Sequence, residues 1–389
     1  MKLKTLDEKL SANGNKKILA LDGGGVRGAL TLGYLEKIEQ LLRDQNNNQK
    51  LVLADYYDLI GGTSTGAIIA TLLSLGKSVD DIIKIYQTLG KDIFGKRVFN
   101  IIPRSWQKPR AFFSESYSSA NLEKLMQKEI DDTTLDDTNK IKCGLAINAK
   151  RADTYSLWTV ANHPDGIYYK ANSHLKLWEL CRASSAAPYY FKAKKLSLKR
   201  RNGDAIEAAF VDGGVSLANN PGFQLFLVAT VDSFGFKWKN GDDEMFITSV
   251  GTGSGVKKDK LDDLLNSKTI SWMPKLPELF MTDASEMNDI LFQILGKNQG
   301  HSTFIDSQFN DLGNTKLVDK KLFSFVRYNV KLTVKDLSLL NLKDFDTSDA
   351  YTNSLNEMDH YENIDRLLEI GRTDAQKITV NDFPDRLIL

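Results

Sequence analysis

Gly62-Thr63-Ser64-Thr65-Gly66 sets a serine between small residues in the order G-x-S-x-G. A serine nucleophile on a sharp strand-to-helix turn needs small neighbours, because the chain folds back on itself there. Tyr57–Ile60 before it reads as a strand, and the apolar stretch from Ala67 reads as a helix. The N-terminal dipole of that helix would favour a developing oxyanion. The pattern points to acyl transfer through an activated serine. A glycine-rich turn in which Thr or Ser caps a helix is the plain alternative.

A second glycine cluster precedes it, Asp22-Gly23-Gly24-Gly25-Val26-Arg27-Gly28. Consecutive glycines let backbone N–H groups converge on an anion. Beside a serine nucleophile, the Gly24 and Gly25 amides form an oxyanion hole. Arg27 would then stabilise the loop or meet an anionic headgroup. Gly23-x-Gly25-x-x-Gly28 also satisfies the dinucleotide fingerprint, which expects an acid at the end of a second strand about 20 residues on. That window holds Asp44 in a polar Asn/Gln stretch with no strand before it. A nucleotide-binding oxidoreductase is weakened but stays as an alternative. No Gly-Lys-Ser/Thr follows, which excludes a Walker A loop.

An activated serine needs a base. The four histidines, His163, His174, His301 and His360, do not sit at glycine-flanked strand ends. Triad order places the histidine last, so His301 and His360 remain candidates. Phe210-Val211-Asp212-Gly213-Gly214 instead offers an aspartate at a strand end. An exposed aspartate ordinarily titrates near ~3.9, which makes it a weak base for serine. Partial burial raises its proton affinity, so a two-residue Ser–Asp device is chemically sound. The alternative is an ordinary Asp-Gly turn.

The elements that must position these residues form a regular pattern. Lys17–Asp22 reads as a buried strand, followed by glycines and a helix with apolar spacing over Ala29–Leu42. The unit repeats around Ser64, which argues for an α/β fold with a mostly parallel sheet. Leu196–Val211 reads as a hairpin turning at Asn202–Gly203. Phe246–Val250 and Phe323–Leu332 read as strands, and Met281–Leu295 and Tyr361–Ile370 as helices. The expected organisation is a loose polar tail over 1–16, a catalytic core over 17–255, and a C-terminal elaboration over 256–389 packed on the same domain. Arg97–Phe113 interleaves aromatic and basic residues with two prolines. It reads as a lid over a lipid site or as core packing.

Bulk properties bound the partners. The 389 residues carry 51 Lys plus Arg against 50 Asp plus Glu, so global charge makes no case for a DNA or RNA polymer. Cys143 and Cys181 are too far apart in sequence for a metal-ligand spacing and read as buried thiols. No apolar run approaches the ~20 residues of a membrane helix, and no apolar signal core follows Met1. A cytoplasmic protein meeting the membrane from outside is expected.

Taken in order, DGGGVRG, GTSTG, ASSAAPYYF (Ala183–Phe191), VDGG with Asn219-Asn220-Pro221, and GTGSG resemble patatin-like phospholipases. The resemblance spans roughly residues 17–255. It implies a three-layer α/β/α fold and hydrolysis of fatty acyl esters of phospholipids or galactolipids at the bilayer surface. It implies a Ser–Asp dyad and an acyl-enzyme, without metal or cofactor. By position, Ser64 is the nucleophile and Asp212 the base. Gly24 and Gly25 belong to the oxyanion loop, with Arg27 at the basic position beside them. Gly23, Gly28, Gly62, Gly66, Gly213 and Gly214 are the motif glycines. The chain is also similar overall to bacterial antiphage phospholipase effectors, which implies a cyclic oligonucleotide activator, although no nucleotide-binding motif carries it. A catalytically idle lipid-binding module is a further alternative. Headgroup, acyl position and oligomeric state stay open.

Overall fold

Short aliphatic runs closed by glycine build the centre of the molecule. The computed structural model describes residues 3–94, 117–255, 261, 265–266, 272, 276–300, 304–313, 315 and 317–389. Arg97–Phe113 and His301 lie outside the described residues. Among the described residues nine strands form one sheet: β1 (Lys16–Leu21), β2 (Leu59–Thr63), β3 (Gly144–Arg151), β4 (Leu157–Ala161), β5 (Lys194–Lys199), β6 (Ala205–Asp212), β7 (Met245–Val250), β8 (Gly296–Asn298) and β9 (Phe323–Tyr328). Their order is β5-β6-β3-β2-β1-β7-β9-β8, with β4 also on β3. β2, β1, β7, β9 and β8 run parallel to β3, whereas β4 and β6 are antiparallel to it and β5 to β6.

The described helices that flank the sheet or shape its site include α1 (Leu6–Leu10), α2 (Gly28–Gln45), α3 (Thr65–Ser74), α4 (Val79–Phe94), α5 (Ser119–Ile130), α6 (Leu177–Ser184), α7 (Gly222–Thr230), α8 (Leu276–Leu295) and α9 (Ile364–Asp374). Successive strand side chains point to opposite faces. Leu19 and Leu21 of β1 therefore enter one apolar cluster with α2, α3 and α9, while Ile18 and Ala20 enter the other with Leu225, Phe226 and Phe292 of α7 and α8. Parallel strands buried on both faces read as near-continuous hydrophobic runs, which is why β1 and β7 lack polar alternation. The result is the α/β/α sandwich expected from sequence.

The C-terminal third contributes to that same sheet and core. β9 pairs with β7, and Tyr34 of α2 donates a buried 2.5 Å hydrogen bond to Asp374 of α9. At the other terminus, the expected loose tail contains a short helix. The Thr5 hydroxyl accepts from the Glu8 N–H at 3.2 Å and the Glu8 carboxylate accepts from the Thr5 N–H at 2.7 Å, a capping box. The Trp238 indole N–H ties this helix down at the Leu10 carbonyl, 3.1 Å away. Cys143 and Cys181 are free and buried, and burial pushes both thiols up to about 12. Among the described residues no helix is long and apolar enough to cross a membrane.

Candidate active site

The loops that follow β1 and β2 at their carboxyl ends meet over the sheet, where α/β folds place their ligands. Ser64 is the first residue after β2 and sits immediately before α3, with φ 55° and ψ −122°. A non-glycine residue held at positive φ costs on the order of 1–3 kcal/mol and persists only where its surroundings enforce it. Here the enforcement is visible. The Ser64 N–H donates 2.8 Å to the Ser184 hydroxyl, which in turn donates 2.6 Å to the Asn148 carbonyl of β3. A Cβ on Gly66 would lie 2.1 Å from the Leu21 carbonyl oxygen, so only glycine lets α3 start this close to β1.

Asp212 ends β6, brought beside β3 by pairing with Ala149. Its Oδ2 accepts a 2.6 Å hydrogen bond from the Ser64 hydroxyl, and its Oδ1 accepts a 2.7 Å bond from the Gly214 N–H. Both side chains are buried. Burial pushes the Asp212 carboxyl up to about 6, against the Ser64 and Gly214 donors and the Arg182 charge, which favour the carboxylate. That places a carboxylate of raised proton affinity on a serine hydroxyl, the pairing needed to activate oxygen as a nucleophile.

Gly24 and Gly25 line the same cavity as Ser64 and Asp212, a slot of about 110 Å³. Among the described residues neither N–H donates to an acceptor, whereas the Gly23 N–H is taken by the Asn219 carbonyl at 3.0 Å. Gly25 has φ +60°, and a Cβ there would collide with the Met358 carbonyl. Tyr86 of α4 donates to the Gly25 carbonyl and meets the Thr65 hydroxyl at 2.6 Å, clamping the glycine loop to the elbow. Gly28 packs under that tyrosine, while Gly62 abuts Gly66 and Gly213 abuts the Asn148 carbonyl. Much of the rest of the slot is apolar, with Val26, Ile68, Ile93, Leu122 and Phe191 on its walls, and Ser185, Glu278 and Asn356 also line it.

Arg27 departs from the expectation. It does not line the Ser64 slot. The 3₁₀ turn Gly25–Arg27 carries its side chain into a neighbouring cavity of about 740 Å³. There it is buried, and among the described residues its Nε has no hydrogen-bond partner. Asp44, the acid that the dinucleotide reading requires, lies in the last turn of α2, hydrogen-bonded by Gln40, and not at a strand end.

No described histidine lines the slot. His163 packs on Phe236, accepts the Asp165 N–H through Nδ1, and is pushed below its usual pKa by burial. His360 meets Ser354 and Glu362 at the surface.

Ser184, Asn148 and Arg327 escaped the reading of sequence. Ser184 lies within Ala183–Phe191, so its motif is legible although its partner is not. Arg327 of β9 makes a bidentate pair with Asp22 at the start of the glycine loop, 3.0 and 2.7 Å, and its Nε stands 3.2 Å from Asp289. Burial alone would lower the Arg327 pKa, but Asp22 and Asp289 outweigh it and hold the guanidinium charged. Replacing Arg327 by alanine leaves Asp22 as an uncompensated buried charge, and denaturant unfolding should report a loss of about 3–5 kcal/mol. A loss below about 1 kcal/mol, the scale of an exposed pair, would show that Asp22 does not depend on the guanidinium.

The family model for patatin-like phospholipase matches residues 19–226, more than half of the chain. The chain belongs to the patatin-like phospholipase family. Membership supports lipid acyl hydrolase activity. This patatin-like protein is 25% identical to patatin-T5 of Solanum tuberosum over 295 residues, 70% of each chain. It is 24% identical to patatin group J-1 of the same plant over 322 residues, 77% of each chain. Among solved structures it is similar to VipD from Legionella pneumophila, with 14% identity and a TM-score of 0.35, covering 92% of this chain and 67% of that one. It is likewise similar to human GIVD cytosolic phospholipase A2, with 9% identity and a TM-score of 0.44, covering 96% of this chain and 61% of that one.

Proposed function

We propose that the protein hydrolyses fatty acyl esters of phospholipids or related glycerolipids through an acyl-enzyme on Ser64, with Asp212 as the base. The observation that carries this reading is the 2.6 Å contact between the Ser64 hydroxyl and Asp212 Oδ2 inside a buried, largely apolar slot. Asp212 takes the hydroxyl proton as Ser64 Oγ attacks the ester carbonyl. The oxyanion that forms is met by the Gly24 and Gly25 N–H groups, which among the described residues have no other acceptor. Collapse expels the lysolipid alkoxide, which recovers the proton from Asp212. Water then adds to the acyl-enzyme, with Asp212 again accepting the proton, and collapse releases the fatty acid as Asp212 returns that proton to Ser64 Oγ. The apolar walls suit an acyl chain, and they keep the dyad dry enough to hold the carboxyl's raised proton affinity.

Two measurements test the reading. Mass spectrometry after incubation with mixed phospholipids should show free fatty acid and lysolipid in equal amounts. Release of phosphate or free headgroup in their place would contradict ester cleavage. The second is the pH dependence of kcat/KM on a short soluble ester. Only ionised Asp212 accepts the proton, so the rate should rise with pH through about 6 and level off above it. A rate that still climbs between pH 7 and 9, with no inflection near 6, would point to a different base.

A further inference from the structure

β4 pairs with β3 alone and so stands at an edge of the sheet. Residues of an antiparallel pair alternate between those that exchange hydrogen bonds with the partner strand and those that turn away from it. The phase is fixed here by the Arg151 N–H on the Ser156 carbonyl, 2.9 Å, and the Asn162 N–H on the Leu145 carbonyl, 3.2 Å. Ser156, Trp158, Val160 and Asn162 therefore face β3 with their backbone groups. Leu157, Thr159 and Ala161 turn theirs outward, and among the described residues nothing bonds these N–H and C=O groups. We propose that this edge accepts an acidic, extended segment of another protein, which adds to the sheet as a further strand beside β4. Such docking is independent of ester hydrolysis at Ser64.

The space beside the edge has the extent and the charge for such a segment. A cavity of about 840 Å³ is lined by all of residues 156–161 and, on another wall, by residues 198–202 of the β5–β6 hairpin. Its lining carries Arg151, Lys199, Arg200 and Arg201 and, among the described residues, no Asp or Glu. Arg151 is held by Asp153, with its Nε 3.1 Å from that carboxylate. Lys199, Arg200 and Arg201 are exposed and, among the described residues, make no ion pair. Of the acids on the hairpin, Glu207 pairs with Lys195 at 3.0 Å and Asp204 accepts from Asn202 at 2.7 Å. Three cations along a groove without acids complement an anionic partner.

A buried group points to the same use. Asn172 ends the short helix Tyr169–Asn172, lines this cavity and is 6% exposed. Among the described residues its carboxamide has no hydrogen-bond partner. A buried amide left unpaired is costly, and the N–H and C=O groups of an added backbone would satisfy it. Ile167 and Tyr168, 45% and 53% exposed, also line the cavity and offer apolar contact to alternate side chains of the segment. A second copy of this chain does not suit the edge, because pairing β4 with β4 brings two cationic hairpins together.

The probe is a fluorescein-labelled peptide alternating valine and glutamate, titrated with the full-length protein and followed by fluorescence anisotropy. The same peptide with lysine for glutamate should bind roughly 10-fold more weakly or worse. So should one with its backbone N-methylated throughout, which keeps the charges but cannot pair with a strand. Protein carrying Lys199→Gln, Arg200→Gln and Arg201→Gln should bind the acidic peptide roughly 10-fold more weakly, with its melting transition unchanged. Hydrogen exchange, read amide by amide, places the contact. Bound peptide should slow the Leu157, Thr159 and Ala161 amides, which exchange freely without it. Equal binding of the N-methylated peptide, or unchanged exchange at those three amides, overturns strand addition. Preferential binding of single-stranded DNA, weakened by the same three substitutions, also overturns it and assigns the groove to nucleic acid. Protection of those amides before any peptide is added, together with a dimeric mass in solution, overturns it in favour of a second copy.

Discussion

Ser64→Ala should lower turnover of a lipid ester by on the order of 10⁴-fold or more, leaving only what the oxyanion donors and binding supply. The change removes a single oxygen from a buried site and leaves the Ser184–Asn148 support of the elbow in place. Far-UV circular dichroism and the melting transition should therefore stay close to the parent's. Loss of the hydroxyl takes one donor from Asp212, so its carboxyl should titrate higher still in the variant. Near-parental turnover would remove Ser64 from the chemistry. A large fall in Tm would mean that lost rate reports lost fold.

Asp212→Asn should cost on the order of 10⁴-fold as well, because an amide of nearly the same shape cannot accept the serine proton. Its effect on stability runs the other way. Burial raises the folded-state pKa to about 6, so the ionised carboxylate is disfavoured in the folded protein. The stability associated with this group is present below its unfolded pKa, near 3.8, and lost as pH rises through about 6. At neutral pH the parent carries that loss and the asparagine variant does not. The variant should thus be inactive yet at least as stable as the parent at pH 7.5, a combination that general misfolding does not produce. Alanine at His163, His174 or His360 supplies the contrast. Each should keep most activity, since none of these rings lines the slot. A large loss in the His360 variant with its fold intact would replace the dyad by a triad.

The parts of the site that sequence makes legible are the local ones. A strained elbow needs glycines within two residues of its serine, and a loop of free amides needs consecutive glycines. Both demands are written side by side in the chain. Asp212 is legible for the same reason, at the end of a run that alternates in the β5–β6 hairpin. Long-range partners leave no local pattern. Arg327 and Asp22 are separated by 305 residues, and only the β7–β9 pairing puts them together. Arg27 shows how little a position within a motif says about direction: two residues after Gly25, a single 3₁₀ turn sends it into another cavity. The N-terminal helix is written in the chain as well, since Thr5-x-x-Glu8 is a capping box in sequence, but its few apolar residues disguise it as a tail.

The most direct test is covalent capture of the nucleophile. An alkyl phosphonate that mimics the tetrahedral intermediate should react once per chain, and peptide mass spectrometry should place the adduct on Ser64. Labelling should stop in Ser64→Ala and slow sharply in Asp212→Asn. An adduct on another residue, or ester hydrolysis that continues at full rate in protein whose Ser64 carries the adduct, would contradict a serine acyl-enzyme at this site.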